Sequence, residues 1–108
     1  MEYRLEFLPS AYKDLENIQD WYAWKFGNQT AEKVIDNILD AIENLTEFPN
    51  LGTITPDKEL NEQGYRMLII EKHVAIYKIV INVIYLYCIF DGRRDYPNLF
   101  KSRLNIQC

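Results

Sequence analysis

The stretch GYRMLIIEKHVAIYKIVINVIYLYCIF, residues 64–90, decides the fold class. Three runs rich in β-branched and aromatic residues fall within it, at 65–71, 73–81 and 83–90. Such runs are typical of β-strands. The breaks between them, at Glu71–Lys72 and near Asn82, are short enough for hairpins. This part of the chain therefore predicts three consecutive, antiparallel strands.

The sequence before this stretch predicts one strand and two helices. Residues 2–8 (EYRLEFL) alternate between apolar and charged side chains, which is the period of a half-buried strand. Apolar residues then recur at helical spacing over 11–26 and again over roughly 29–47. Ser10 is the predicted cap of the first helix. FPNLG ends the second helix, and residues 53–64 are predicted to form a loop.

The predicted order of elements is β-α-α-β-β-β. Because the break between the helices is short, they form an antiparallel hairpin. The hairpin is expected to pack on one face of a largely antiparallel sheet, which is an α+β fold. With 108 residues, the chain is expected to be one domain covering 1–108.

Composition and charge exclude several classes of function. The net charge of -4 argues against direct binding of duplex DNA by this chain alone, because phosphate neutralisation supplies most of that affinity. No signal peptide or membrane span is predicted. Cys88 and Cys108 are not clustered with each other or with histidine, so neither a metal site nor a disulfide is expected. No cofactor is predicted, and two unclustered thiols fit the cytoplasm.

Few residues suggest catalysis, and none belongs to a common catalytic motif. His73 is the only histidine and is expected to have a partly exposed ring, either as a general acid–base group or as an ordinary surface residue. Asp14, Glu16 and Asp20 in the first helix are not expected to form a metal site. The acidic residues of the second helix fit a solvated face.

Cationic and aromatic residues form the remaining candidate site. Arg93, Arg94 and Tyr96 lie in the segment FDGRRDYPNLF at 90–100, and Arg66 lies in the strand-like run at 65–71. Arginine grips phosphates and carboxylates with two donors at once. The alternative is that Arg94 pairs with a carboxylate and only fastens the C-terminal segment. Arg93 and Arg94 point to opposite faces if the strand continues, so one of them is expected in any given site, with Arg94 favoured over Arg93.

Two tryptophans of the first helix point to a protein partner. Trp24 lies nearly opposite the apolar face of this helix, and Trp21 lies at the border of that face. Exposed tryptophan is uncommon and favours an interface. The alternative is that a chain terminus covers it.

The pieces of this sequence, in order, resemble the RelE/ParE superfamily of bacterial type II toxin–antitoxin toxins. They are LPSAYKDLENIQDWYAWKFG, AEKVIDNILDAIENLTEFPNLG, GYRMLII, HVAIYKI and IFDGRRDY. The resemblance covers nearly the whole chain. It implies a toxin that arrests growth, as in plasmid stabilisation systems, and a cognate antitoxin that binds through an amphipathic helix or an added strand.

The resemblance leaves two activities open and favours the ParE-like one. ParE-like members, similar in the long helical hairpin, are implied to inhibit DNA gyrase by binding. RelE-like members are implied to be ribosome-dependent messenger-RNA endonucleases, in which Arg66, His73, Arg94 and Tyr96 would be catalytic. The arginine that RelE-like members carry on the middle strand falls at Val74, which leaves that set incomplete. A third alternative is a non-toxic homologue that acts as a binding partner.

The residues are therefore assigned to two surfaces. Arg93, Arg94 and Tyr96 are predicted to contact the target, and Trp21 and Trp24 to contact the antitoxin. Whether the chain is an enzyme stays open, with a binding inhibitor favoured.

Overall fold

The protein, described from a computed structural model, has an α+β fold. The structure describes residues 2–92 and 95–107, with only the backbone at 105–107. In chain order the elements are β1 (Arg4–Phe7), α1 (Pro9–Phe26), α2 (Asn28–Glu43), a 3-10 turn (Asn44–Thr46), β2 (Thr53–Ile54), α3 (Lys58–Glu62), β3 (Tyr65–Ile70), β4 (His73–Val80), β5 (Val83–Asp91) and α4 (Tyr96–Gln107). The predicted β-α-α-β-β-β order is confirmed, with β2, α3 and α4 added to it.

One five-stranded sheet carries the fold, in the order β1-β5-β4-β3-β2. The pairs β2–β3, β3–β4 and β4–β5 are antiparallel, whereas β1 pairs with β5 in parallel. The expectation of a largely antiparallel sheet is confirmed. The first strand of the chain thus lies beside the last one.

A bulge in β5 changes which side chains face which layer. Ile76 pairs with Cys88 and Tyr77 with Leu86, so Tyr87 has no partner on β4. Leu86 packs towards α1 and α2, while Tyr87 and Cys88 both face the other side of the sheet. The extra residue therefore reverses the alternation in the middle of the strand.

Each face of the sheet carries its own hydrophobic core. The larger core joins α1 and α2 to the sheet, and its fully buried members include Ala11, Ile38, Ile42, Leu45, Ala75, Tyr77, Ile84 and Leu86. The second core lies under α3 and α4 and contains Leu60, Tyr65, Val74, Ile76, Cys88, Phe90 and Phe100. Helices consequently cover both faces.

The prediction of a loop over 53–64 is wrong at its centre, where α3 forms. The Asp57 carboxylate accepts a hydrogen bond from the Leu60 N–H at 3.1 Å and so caps this helix. Leu60 is fully buried in the second core. One capping side chain and one buried leucine are enough to order a single turn that has no periodic pattern of its own.

Two helix boundaries also differ from the prediction. The first helix begins at Pro9, with Leu8 at the cap position and no side-chain cap. Ser10 instead donates its hydroxyl to the carbonyl of Tyr87. The second helix ends at Glu43, and the chain continues as a tighter turn over Asn44–Thr46. No helix among the described residues is long and apolar enough to cross a membrane.

Candidate functional site

A groove of about 540 Å³ lies between the C-terminal half of α1 and the sheet end where β4 begins and β5 finishes. Trp21, Tyr22 and Phe26 form its helical wall. His73 and Asp91, which are paired across β4 and β5, lie on the sheet side. Volume and lining fit a binding site with an apolar wall and a few polar groups.

The aromatic wall is open to solvent. The Trp21 ring packs edge-on against Tyr22 at 4.9 Å and against Phe26 at 6.0 Å between centroids. Lys25 places its ammonium 4.9 Å from the centre of the Trp21 ring. Trp24 projects away from these rings and is 83% exposed, as the helical spacing predicts. Exposed rings of this size are a common feature of protein interfaces.

Two lysines give the groove free positive charge. Lys25 on α1 and Lys72 in the β3–β4 turn both line it. Within the part of the chain that the structure describes, neither ammonium forms a salt bridge. These two ammonium groups offer contacts to an anionic partner, beside the carboxylates of Asp14 and Asp91 that line the same groove.

His73 lies at the bottom of the groove and is buried. The expectation of a partly exposed ring is wrong, since only 7% of the residue is exposed. Its ring lies 6.0 Å from that of Tyr22 on α1. Burial lowers the pKa of His73 below its ordinary value, and the charges of Asp91 and Glu71 oppose this shift. This shift favours the neutral imidazole over the charged form.

Asp14 and Arg103 close the inner end of the groove. Arg103 donates to both carboxylate oxygens of Asp14, at 2.7 and 2.9 Å, and the Ile89 N–H donates to the same carboxylate at 2.9 Å. The hydrogen bond to Asp14 raises the pKa of Arg103. The sequence-based expectation for Asp14 was only that it forms no metal site, and this ion pair was not predicted. The available signal was its position three residues after Ala11, on the buried stripe of α1.

Arg66 acts as a structural clamp in this fold. Its guanidinium donates to the carbonyls of Gly52 at 2.6 Å and Asn50 at 3.3 Å, and to the Tyr77 hydroxyl at 3.4 Å. The Tyr77 hydroxyl also donates to the Pro49 carbonyl at 2.9 Å. Together these bonds hold the loop after the second helix against β3 and β4.

The candidate catalytic residues are not brought together among the described residues. Arg66 pairs with Tyr77 on β4, and Tyr77 lies four positions from His73 on the same strand. Arg66 and His73 are therefore about 13 Å apart along the sheet. Tyr96 begins α4 on the other face, where its hydroxyl donates to the Met67 sulfur at 3.1 Å. Arg93 and Arg94 lie outside the described residues.

Side chains that could bind a metal ion are dispersed over the described part of the chain. Across residues 2–92 and 95–104, no three histidine, cysteine or acidic side chains lie close enough together to hold a metal ion. Burial raises the pKa of the Cys88 thiol, so this cysteine stays protonated.

Comparison with known proteins identifies the family. A family model described as "ParE toxin of type II toxin-antitoxin system, parDE" matches residues 5–96. The chain therefore belongs to the ParE toxin family, and it is a toxin of the type II toxin–antitoxin class. The resemblance to the RelE/ParE superfamily is thereby confirmed, on its ParE-like side. No curated protein matches the chain by sequence.

Solved structures agree on the fold. A structure of the chromosomal ParDE system of P. aeruginosa is 24% identical, with a TM-score of 0.72 over 83% of this chain and 96% of that one. The RelBE2 complex of Mycobacterium tuberculosis is 17% identical, with a TM-score of 0.58 over 84% and 99% of the two chains. The YoeB–YefM complex of Staphylococcus aureus is 22% identical, with a TM-score of 0.54 over 83% and 97%.

Proposed function

We propose that this toxin arrests growth by binding a protein target, DNA gyrase, and performs no chemistry of its own. In this proposal it works as a single domain over 1–108 in the cytoplasm, with no cofactor. A cognate antitoxin neutralises it. Membership of the ParE family supports this choice over messenger-RNA cleavage.

The separation of the candidate catalytic residues carries the proposal. Cleavage of RNA without a metal needs cations at the scissile phosphate and a group that moves the 2′-hydroxyl proton, all within a few ångströms. Arg66 is engaged by loop carbonyls, and Tyr96 lies across the sheet from His73. His73 is also buried and sits beside Tyr22. These positions favour a binding function.

The antitoxin is proposed to cover the exposed aromatic end of α1. Trp24 projects into solvent, and Trp21 and Phe26 leave about half of their surfaces open. The free ammonium groups of Lys25 and Lys72 favour an acidic segment at the same place. The solved neighbours include toxin–antitoxin complexes, which is consistent with such a partner.

The target is proposed to contact the segment that leaves β5. Asp91 lines the groove and is followed by Gly92, whose N–H donates to the Lys72 carbonyl at 2.8 Å. Arg93 and Arg94 come next in the sequence, and Tyr96 opens α4. Arg94 and Tyr96 are proposed as target contacts, with Arg93 as the second cation of this segment.

The test is pulse-labelling of growing bacteria just after the toxin is induced without its antitoxin. DNA and protein synthesis are followed separately, and Arg94→Ala is induced in parallel. An early fall in DNA synthesis with a DNA-damage response, absent in the folded Arg94→Ala variant, supports the proposal. A prompt fall in protein synthesis with cleaved messages assigns the RelE-like nuclease activity instead. Unimpaired growth assigns a non-toxic binding partner.

A further inference from the structure

The two β-hairpins of the sheet share an unusual turn. Each has two residues between its closing strand pairs, Ile70–His73 and Val80–Val83. The first turn residue has a positive φ in both, 55° at Glu71 and 60° at Ile81. Glycine is the residue that adopts this conformation freely, and other L-residues are strained in it.

The turn between β4 and β5 is unusual in a second way, because its side chains are apolar and exposed. Ile81 is 82% exposed and the neighbouring Val80 is 44% exposed. A β-branched residue with positive φ is a clear outlier. At the sister turn the same conformation is taken by the unbranched, charged Glu71, so strain alone does not distinguish the two turns. The two turns differ because the turn between β4 and β5 combines exposed apolar side chains with a strained backbone.

Contacts among the described residues give no reason for isoleucine at this position. With most of its surface in solvent, the Ile81 side chain contributes little to either core, and glycine or asparagine fits the backbone better. Strained residues and exposed apolar groups are both concentrated at functional sites. The observation therefore points outside the chain, to something that the side chain contacts.

We propose that the tip formed by Val80 and Ile81 is an anchor that inserts into an apolar pocket with an acidic rim on the toxin's protein target. This inference rests on the proposed function, in which the toxin acts by binding a protein.

The size and surroundings of the tip favour this occupant. Two side chains bury far less than the roughly 1,000 Å² of a stable interface, so the tip alone does not hold a second copy of the chain. They are also too few for stable attachment to a membrane surface. The exposed Arg4 lies beside the tip, since its N–H donates to the Asn82 carbonyl at 3.0 Å, and Lys78 lies on the same strand face as Val80. These cations match carboxylates at the rim of a pocket.

The tip is held ready for binding and lies far from the groove. Strands of eight and nine residues support it, and a preformed contact loses little entropy when it binds. His73 in the groove begins β4 and Val80 ends it, so the two sites are about 23 Å apart. One standard interface of about 800 Å² per partner spans such a distance on a large target.

The experiment compares Ile81→Gly with Glu71→Gly, the same change at the sister turn. Both variants are purified for thermal unfolding and induced in cells at matched protein levels. Both are expected to unfold at a higher temperature than the wild type, because glycine relieves the positive φ. Ile81→Gly is expected to need at least about tenfold more protein than the wild type for equal growth arrest, because an anchor residue is lost. Glu71→Gly is expected to match the wild type.

The outcomes separate the two proposals. Growth arrest by Ile81→Gly and Ile81→Asn at wild-type protein levels overturns the anchor and leaves the proposed function standing. A wild-type chain that does not arrest growth overturns the proposed function, and the anchor with it. A wild-type dimer in sedimentation that Ile81→Gly converts to monomer assigns the tip to a second copy, which also overturns the proposal.

Discussion

The carboxylate of Asp14 in α1 and the guanidinium of Arg103 in α4 form a two-point ion pair across 89 positions of the sequence. The same carboxylate accepts the Ile89 N–H of β5, so one side chain joins three elements. The ladder between β1 and β5 ends at Phe7 and Leu86. Beyond that point, side chains of α1 take over the hydrogen bonding along this edge of β5.

Asp14→Ala is expected to destabilise the fold strongly. Asp14 is buried, and its removal leaves the Ile89 N–H and the Arg103 guanidinium without their acceptor. Breaking a buried pair costs about 3–5 kcal/mol, and the partial exposure of Arg103 places the expected loss near 3 kcal/mol. Urea unfolding followed by tryptophan fluorescence measures it.

The control for this variant is Lys13→Ala on the same helix. Lys13 reaches Glu16 at 3.9 Å with both side chains exposed, and such pairs contribute about 0–1 kcal/mol. Equal unfolding midpoints for Asp14→Ala and Lys13→Ala would show that the buried ion pair does not hold α4 to the body of the fold.

Arg66→Met is expected to lower stability whether or not the toxin acts on RNA. The variant removes the donors to the Gly52 and Asn50 carbonyls and a donor to Tyr77. A loss of about 1–2 kcal/mol is expected in urea unfolding. Its control is Lys58→Met, an exposed cation of α3. An unchanged unfolding midpoint for Arg66→Met would show that Arg66 has no structural role. Arg66 would then again be a candidate for target contact.

Gly52→Ala is expected to disrupt the same loop from the other side. A Cβ atom at this position would lie 2.5 Å from the Met67 carbonyl oxygen and 2.6 Å from the Tyr77 hydroxyl. The carbonyl belongs to a paired strand and cannot move away, so a loss of about 1–3 kcal/mol is expected. Gly92→Ala is the comparison, since its nearest contact would be 3.3 Å. Thermal unfolding of both variants, followed by circular dichroism, compares their melting temperatures. Gly52→Ala is expected to have the lower one.

Acidification is expected to destabilise the protein through His73. Burial holds its pKa below the ordinary 6.5, so the unfolded chain takes up this proton at a higher pH than the folded chain. The contribution is fully present above about pH 6.5 and is lost as the pH falls from there through the folded-state pKa. His73 is the only histidine, so His73→Gln should flatten this slope in urea unfolding from pH 7.5 to 5. Parallel slopes for variant and wild type would contradict the buried neutral imidazole.

Trp24→Ala is expected to weaken antitoxin binding without weakening the fold. The ring is mostly exposed, so the free energy of unfolding should change by about 0.5 kcal/mol or less. Affinity for the antitoxin that suppresses growth arrest should fall by about 2 kcal/mol or more, as for an aromatic hot spot. Calorimetric titration measures it, with Tyr12→Ala as an exposed aromatic control at the other end of α1. An unchanged dissociation constant would remove Trp24 from the interface.

The sequence was sufficient for the elements whose period is clear. Alternation in residues 2–8 and the apolar stripes of the two long helices gave strand and helices directly. The three later strands are also confirmed. They could be predicted because their β-branched residues face two cores. Prediction failed where order comes from single tertiary contacts, as in α3, which depends on the Asp57 cap and buried Leu60. The C-terminal helix depends in the same way on Phe100 and Arg103.

The candidate site was predicted in part. Helical spacing identified Trp24 as exposed, since that follows from the local period alone. The burial of His73 and of Asp14 was not visible, because each depends on an element distant in sequence. The strain at Ile81 was likewise hidden, since the sign of φ in a two-residue turn depends on the register of both strands.

The parallel pairing of β1 with β5 also sets the order in which the molecule can be completed. Residues 4–7 leave the ribosome well before their hydrogen-bonding partners at 83–86 are made. Contacts this distant slow folding, and chains are synthesised at about 5–20 residues per second. The nascent chain therefore carries an unpaired first strand for several seconds. Completion of this sheet edge, and any harm that depends on it, therefore waits until residues 83–86 have emerged.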